Sequence, residues 1–217
     1  MQETTPLELV PTHIEGLDNV LMGGFLRMGF YLIQGDPGSG KTTLALQFIQ
    51  GRLLAGERCL YVTLTEPRRD LELTCRAHGW SLDGLEVRDL ARSLDDPREL
   101  SVFDPADTEL SEIIKVVRSD VEQLRPTIVV FDGLSELRLL SGDPLRYRRQ
   151  LLSLKEFLAA RRATVLLLDD RSASFSEIQP ESLVGGNILL ERFLPSYGRA
   201  RRRLHVTKIR GSHFREG

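Results

Sequence analysis

The sequence lacks the features that would mark a membrane or secreted protein. No apolar run in its 217 residues is long enough to cross a bilayer, and residues 1–6 lack the basic and apolar regions of a signal peptide. Only two cysteines are present, Cys59 and Cys75, and their separation does not match the spacing of metal ligands. We therefore expect a cytoplasmic protein whose cysteines are core thiols and do not form a disulfide.

The composition also lacks a strong charge bias, repeats and low-complexity linkers. The net charge is -2, with 28% charged and 41% hydrophobic residues, which is typical of a globular domain. This balance does not favour nucleic-acid binding by the chain as a whole. We expect one domain over residues 1–217, with a lead-in over 1–11, a mobile loop over 171–187 and a C-terminal hairpin over 188–211.

One stretch with a strong signature is present between residues 35 and 43. It matches the phosphate-binding loop G-x-x-x-x-G-K-[ST] and consists of Gly35, Asp36, Pro37, Gly38, Ser39, Gly40, Lys41, Thr42 and Thr43. A predicted strand over 30–34 precedes it and a predicted helix begins at 44–49, as the motif requires. Backbone N–H groups of such a loop bind phosphates, Lys41 supplies positive charge, and Thr42 offers a hydroxyl to Mg²⁺. We therefore predict that the chain binds ATP and Mg²⁺.

Hydrophobic patterning around this loop predicts an α/β fold with a mainly parallel sheet. Further strands are expected at 59–64, 127–132 and 164–169, with weak candidates at 85–87 and 101–103. Helices are expected at 67–78, along the apolar face from Leu110 to Leu124, and at 145–161. Alternation of strands and helices produces right-handed crossovers between parallel strands. Residues 188–194 and 204–209 are expected to add the antiparallel hairpin.

Two acidic residues at strand ends are candidates for the chemistry. Asp132 ends an apolar strand, where phosphate-loop proteins carry the acid that lies close to Mg²⁺; the alternative is a cap for the following turn. Many such ATPases have a glutamate next, but this chain has Gly133, so a base must come from elsewhere. Glu66 follows a strand at the same edge of the sheet and would orient a water on the γ-phosphate. Alternatively, Glu66 only complements the dipole of the next helix.

With these motifs, the chain resembles the RecA-like ATPases and, within them, the KaiC-like branch. Besides the phosphate loop, Glu66 and the Asp132 strand, the resemblance is carried by Gly16-Leu17-Asp18, Gly23-Gly24, Tyr61-Val62-Thr63, Gly79-Trp80 and Lys208-Ile209-Arg210-Gly211-Ser212. It implies a RecA-like fold and a ring hexamer of identical subunits. It also implies that the last of these segments, with Lys208, Ile209, Arg210 and Ser212, contacts a neighbouring subunit's nucleotide. Lys208 and Arg210 would then act in trans on the γ-phosphate.

The chain departs from the pattern of this family at two positions. KaiC-like proteins commonly have two adjacent glutamates where this chain has Thr65-Glu66, so we expect slow hydrolysis. Ser182-Leu183 stands where the kinase half of a two-domain family member carries a phosphorylated Ser-Thr pair, so we do not predict autophosphorylation.

Three functions are compatible with these residues. The first is a ring-forming ATPase with a regulatory or signalling role and a protein partner. The second is a DNA-dependent recombination ATPase, favoured by the arginine cluster at 199–203 but opposed by the single basic residue and two glutamates of loop 171–187. The third is a nucleotide-gated interaction module with little turnover, which the missing acid permits.

Overall fold

The secondary structure is that of an alternating α/β protein. The computed structural model describes residues 8–91, 105–171 and 180–215. The strands in these ranges are β1 Leu9–Val10, β2 Phe25–Leu26, β3 Phe30–Gly35, β4 Cys59–Thr63, β5 Glu86–Asp89, β6 Ile128–Asp132, β7 Thr164–Asp170, β8 Gly186–Phe193 and β9 Arg201–Ile209. The helices are α1 Glu15–Val20, α2 Lys41–Leu54, α3 Arg68–Ala77, α4 Pro105–Leu124, α5 Leu134–Ser141 and α6 Pro144–Ala160, with a 3-10 helix at Pro180–Ser182.

The main sheet has seven strands in the order β5-β4-β6-β7-β3-β8-β9. Neighbouring strands from β5 to β8 are parallel, and β9 returns antiparallel to β8. Strands β1 and β2 form a separate antiparallel pair. The predicted α/β fold with a mainly parallel sheet and a C-terminal hairpin is therefore confirmed. The carboxyl ends of β3, β4, β6 and β7 meet at one edge, where parallel sheets bind their ligands.

Both faces of the sheet are buried, and each face has its own core. On β3, Tyr31 and Ile33 pack into the cluster that contains residues of α2 and α3. Phe30 and Leu32, which alternate with them, pack into the cluster with residues of α4, α5 and α6. Because the central strands β3, β4, β6 and β7 are covered on both faces, their sequences are mainly apolar and do not alternate with polar residues.

Some element boundaries differ from those expected. Strand β7 continues to Asp170, one residue beyond its predicted end at Asp169, and α5 was not predicted. The hairpin begins at Gly186, inside the segment expected to be a loop, while Leu183 and Val184 before it are buried. Residues 172–179 of that segment and the weak strand at 101–103 lie outside the described residues. The mobility of the loop therefore stays a prediction.

Strand β9 contains an irregularity in its pairing with β8. Asn187 pairs with Lys208, whereas Ile188 pairs with Val206, so Thr207 is one residue more than the partner strand has. The Asn187 side-chain amide donates to Thr207 Oγ1 at 2.9 Å, and this hydroxyl donates to the Asn187 carbonyl oxygen at 3.2 Å. These bonds hold a β-bulge at a defined position.

The expectations drawn from rare residues can be compared with the described ranges. Cys59 and Cys75 are both free and buried, as predicted. Burial raises the pKa of the Cys59 thiol to about 12. In the same ranges, no group of three or more histidine, cysteine or acidic residues is arranged to hold a metal ion. Nor does any described helix combine the length and apolarity needed to cross a membrane.

Candidate nucleotide-binding site

A cleft of about 320 Å³ opens at the carboxyl edge of the sheet. Of the predicted site residues, it is lined by Pro37, Gly38, Gly40, Lys41, Thr42, Thr43, Glu66 and Asp132. Residues that the sequence analysis did not assign to the site also line it, namely Thr65, Thr74, Gly133, Ser135, Leu168, Asp170 and Arg202. The structure thus brings the phosphate loop and both candidate acids into one cavity.

The phosphate loop turns sharply into helix α2. Gly40 precedes the helix with φ +107°, a left-handed conformation that residues with a Cβ rarely adopt. The first N–H groups of α2, like those of any helix, have no acceptor within the helix and point out of its amino end, toward the turn. The hydroxyl of the buried Ser39 also has no hydrogen-bond partner among the described residues. These donors, with the positive end of the helix dipole, fit a phosphate group.

Lys41 is held by three acceptors. Its ammonium group donates to the Gly35 carbonyl at 2.8 Å, to the Asp36 carbonyl at 3.2 Å and to Asp170 Oδ1 at 2.6 Å. The first two belong to the phosphate loop itself, whereas Asp170 is the last residue of β7 and pairs with Gly35 across the sheet. The sequence analysis missed Asp170 because β7 was expected to end earlier.

Thr42 and Asp132 lie together below the loop. Thr42 Oγ1 donates to Asp132 Oδ2 at 3.1 Å, and the buried hydroxyl of Tyr61 donates to the same oxygen at 2.6 Å. Burial raises the pKa of Asp132, while the hydrogen bonds from Tyr61 and Thr42 and the charge of Lys41 lower it. A hydroxyl beside a carboxylate is the ligand pair that Mg²⁺ accepts from a protein when phosphates and waters complete its shell. The residues present therefore fit Mg²⁺.

Glu66 lies at the rim of the cleft with its backbone fixed. Its N–H donates to Thr63 Oγ1 at 3.1 Å, and this hydroxyl donates to the Glu66 carbonyl at 2.7 Å. Burial raises the pKa of the Glu66 carboxyl, and the negative charges of Asp132 and Asp70 raise it further, against the lowering effect of Lys41. A carboxyl with a raised pKa accepts a proton more readily than an ordinary one.

Gly133, the position after Asp132, has no room for a side chain. Its φ is +118°, and a Cβ there would lie 2.8 Å from the Cβ of Leu64. A glutamate at this position, as in many other phosphate-loop ATPases, would therefore need both a strained backbone and a shift of Leu64, which follows strand β4. Of the three carboxylates that line the cleft, Asp132 accepts hydrogen bonds from Thr42 and Tyr61, and Asp170 is paired with Lys41. Glu66 is left as the candidate base.

Comparison with known proteins identifies the family. The family described as "ATPase: KaiC" matches residues 10–217, nearly the whole chain. The chain belongs to the KaiC ATPase family.

Relatives within the KaiC family differ in length. A UPF0273 protein of Methanopyrus kandleri is 32% identical over 219 residues, covering 95% of this chain and 85% of that protein. The circadian clock protein KaiC3 of Synechocystis is 28% identical over 207 residues, which are 91% of this chain but only 38% of KaiC3. The fold is similar to that of a KaiC-like protein from Pyrococcus horikoshii, with a TM-score of 0.80, 24% identity and coverage of 98% and 93% of the two chains.

The arginine cluster at 199–203, whose role the sequence left open, reaches the cleft of this KaiC-family chain. Arg202 of β9 lines the cavity, and its Cδ lies 3.9 Å from where a Cβ on Gly40 would stand. This placement follows from the parallel pairing of β8 with β3, which carries the far end of the hairpin to the carboxyl edge. Local patterning does not predict which strand pairs with β8. The sequence therefore gave no indication, other than the charge of Arg202, that this residue lies at the cleft.

The segment that resembles the KaiC family's trans-acting residues lies at the opposite edge of the sheet. Ile209 pairs with Gly186, which in turn pairs with Tyr31 at the start of β3. Lys208 Nζ donates to the carbonyls of Glu181 and Val184, at 2.7 and 2.9 Å.

Arg210 and Ser212 follow the end of β9. The Arg210 N–H donates to the Gly185 carbonyl at 2.7 Å, and its side chain lines a second cavity together with Arg27. Ser212 Oγ donates to the His213 carbonyl at 3.2 Å. None of the four residues from Lys208 to Ser212 named in the prediction lines the phosphate-loop cleft of the same chain.

Proposed function

We propose that this chain is a slowly hydrolysing, Mg²⁺-dependent ATPase that forms a ring with nucleotide sites at subunit interfaces and has a regulatory or signalling role. The observation that carries the proposal is the convergence of Lys41, Thr42, Asp132 and Glu66 on one cleft at the carboxyl edge of the sheet. Membership of the KaiC ATPase family supports nucleotide binding.

The contacts support a role for each of these four side chains. The loop N–H groups and Lys41 bind the phosphates of ATP, and Thr42 and Asp132 hold Mg²⁺, which supplies positive charge to the leaving phosphates. Glu66 accepts a proton from the attacking water, for which its raised pKa suits it. KaiC-like proteins commonly have two adjacent glutamates at this place, whereas this chain has Thr65 and Glu66. Because one of the two acids is missing, hydrolysis is expected to be slow.

The ring is supported by the separation of the two functional edges. Strand β3 has six residues, and at roughly 3.3 Å per residue it holds the two edges about 17 Å apart. Lys208 and Arg210 at the amino edge are therefore too far from the cleft of their own chain to contact a γ-phosphate there. A nucleotide that they contact has to be bound by another subunit.

Assembly in solution tests the ring. We expect light scattering to show assembly in the presence of ATP and Mg²⁺, up to six subunits of 24.5 kDa each. Without nucleotide the mass should be smaller, because nothing then links the cleft of one subunit to the amino edge of the next. A mass of one subunit under both conditions, with ATP binding demonstrated in the same sample, would contradict the ring.

The trans role is tested by replacing Arg210. We expect Arg210→Ala to bind ATP normally but to lose hydrolysis and nucleotide-dependent assembly, because an arginine that acts in trans on the γ-phosphate contributes roughly 1,000-fold or more to the rate. Arg149→Ala, which removes the same side chain from an exposed position of α6, is the matched control. Mixing Arg210→Ala with Glu66→Gln should partly restore hydrolysis, because some interfaces combine an intact Glu66 with an intact Arg210. If mixtures that co-assemble stay inactive, the assignment in trans is wrong.

The alternative of an interaction module with little turnover shares the same cleft. It is favoured by the Gly133 geometry, which leaves the site with one candidate base instead of two acids. Nucleotide-dependent assembly without measurable phosphate release in the wild-type protein would select it. The DNA-dependent alternative keeps its cluster of exposed arginines, of which Arg202 lines the nucleotide cleft and Arg203 lies 4.3 Å from the centre of the Phe193 ring.

A further inference from the structure

The acceptor set of Lys41 points to a role for Asp170. A lysine ammonium has three N–H donors, and here they meet the Gly35 carbonyl, the Asp36 carbonyl and Asp170 Oδ1. The shortest of the three contacts is the ion pair with Asp170, whose side chain is 30% exposed to the cleft while that of Lys41 is 11% exposed. A phosphate oxygen that binds Lys41 therefore competes with the Asp170 carboxylate for an N–H donor.

The backbone fixes Asp170 in this position. It lies directly opposite Gly35 in the parallel pairing of β7 with β3, so the strand register places it beside the phosphate loop. Its neighbour Asp169 does not share this role, because both of its carboxylate oxygens accept from Arg138 at 2.8 Å and its side chain is 3% exposed. The side chains of the two consecutive aspartates thus have different partners, because successive side chains of a strand point to opposite faces of the sheet.

We propose that Asp170 sets the preference of this site between ATP and ADP by holding Lys41 and by opposing the charge of the γ-phosphate. The inference rests on the proposed function, in which Lys41 binds the β- and γ-phosphates. A carboxylate 2.6 Å from the Lys41 ammonium then lies close to the γ-phosphate. ATP carries this charge and ADP does not, so Asp170 weakens the binding of ATP more than that of ADP.

The charge balance of the cleft strengthens this argument. Its lining contains the carboxylates of Glu66, Asp132 and Asp170 but only the cations Lys41 and Arg202. Asp132 has the hydroxyls of Thr42 and Tyr61 as donors, and Glu66 lies at the rim, whereas Asp170 shares its cation with the nucleotide. Charges a few ångströms apart in a partly buried site interact strongly enough to change an affinity ratio tenfold.

The test is the ratio of ATP to ADP affinity in the full chain with Mg²⁺, measured by fluorescence titration. We expect Asp170→Asn to raise this ratio about tenfold relative to the wild type, because the amide keeps the size of the side chain and loses its charge. Asp170→Glu keeps the charge and should return the ratio toward the wild-type value. Asp83→Asn removes one charge from an exposed position that does not line the cleft and should leave the ratio unchanged.

The outcomes separate the inference from the proposed function. If the wild type binds neither nucleotide, the proposed function fails. If the wild type binds both and Asp170→Asn leaves the ratio unchanged, or changes it no more than Asp83→Asn does, the role of Asp170 fails. A lower ratio in Asp170→Asn would also overturn it, since the carboxylate would then be assisting the γ-phosphate. Asp170→Ser, a second neutral variant, should shift the ratio in the same direction as Asp170→Asn, which separates the loss of charge from a local packing defect.

Discussion

Replacing Lys41 by alanine is expected to lower ATP affinity about 100-fold. The ammonium makes charge-assisted hydrogen bonds to phosphate oxygens, each contributing about 1.5 to 3 kcal/mol, and roughly 1.4 kcal/mol corresponds to a factor of ten in affinity. The only other cation in the lining of the cleft is Arg202, which belongs to β9 and lies near Gly40 of the phosphate loop. Titration with a fluorescent ATP analogue measures the change directly.

Two further variants make this result specific. Lys115→Ala removes a lysine from an exposed position of α4 and should leave the affinity unchanged. Thr42→Ala should retain nucleotide binding but weaken its dependence on Mg²⁺, because Thr42 and Asp132 form the pair of oxygens that fits the ion. An unchanged affinity in Lys41→Ala would refute the assignment of the cleft as the nucleotide site.

The largest effect on chemistry is expected from Glu66→Gln. The amide keeps the shape of the side chain but accepts no proton, so phosphate release should fall by about 100-fold to 10,000-fold with little change in ATP affinity. Single-turnover hydrolysis, measured together with a binding titration, separates the two quantities. Hydrolysis at the wild-type rate would show that Glu66 serves only the start of α3 and that the base lies elsewhere.

The acid side of the pH profile gives a second readout of the same residue. Burial and the nearby carboxylates raise the pKa of Glu66, so the rate should begin to fall at a higher pH than for an ordinary carboxyl. As the pH decreases through this raised pKa, the carboxyl is protonated and loses its function as a base. Glu72→Gln, on helix α3, which begins two residues after Glu66, disrupts only an exposed pair with Arg68 and is the matched control.

The sequence predicted the fold and part of the site for a local reason. The phosphate loop and the apolar strand that ends at Asp132 each lie within a short stretch, so residue type and spacing are sufficient to recognise them. Glu66 was found by elimination, because Gly133 is not an acid. The structure adds the reason for the glycine, since the contact with Leu64 excludes a larger residue.

Asp170 and Arg202 could not be found in this way because their positions depend on contacts between distant segments. Asp170 joins the site through the pairing of β7 with β3, and Arg202 through the pairing of β8 with the opposite side of β3. Hydrophobic periodicity identifies strands but carries no information about which strands are neighbours. The last residues of a strand, where Asp170 lies, are also where boundaries predicted from patterning are least accurate.

The bulge at Thr207 has a consequence for the direction of side chains along β9. Leu204, Val206 and Ile209 all pack against the core on the α2 side of the sheet, although the positions of Val206 and Ile209 in the sequence differ by an odd number. In a regular strand these two would point to opposite faces. The additional residue shifts the alternation by one and keeps all three in the same core.

For the same reason, the side chains of Arg202 and Lys208 point to opposite faces of the sheet. In a regular strand they would share a face, because their positions differ by an even number. Arg202 lies beside the phosphate loop on the α2 side, and Lys208 donates to the carbonyls of Glu181 and Val184, beside the other core. A chain with one residue fewer at Thr207 would point both cations the same way. The hairpin can therefore change in length at its tip, between β8 and β9. A change at the bulge would instead alter the face of the sheet on which Lys208 lies relative to Arg202.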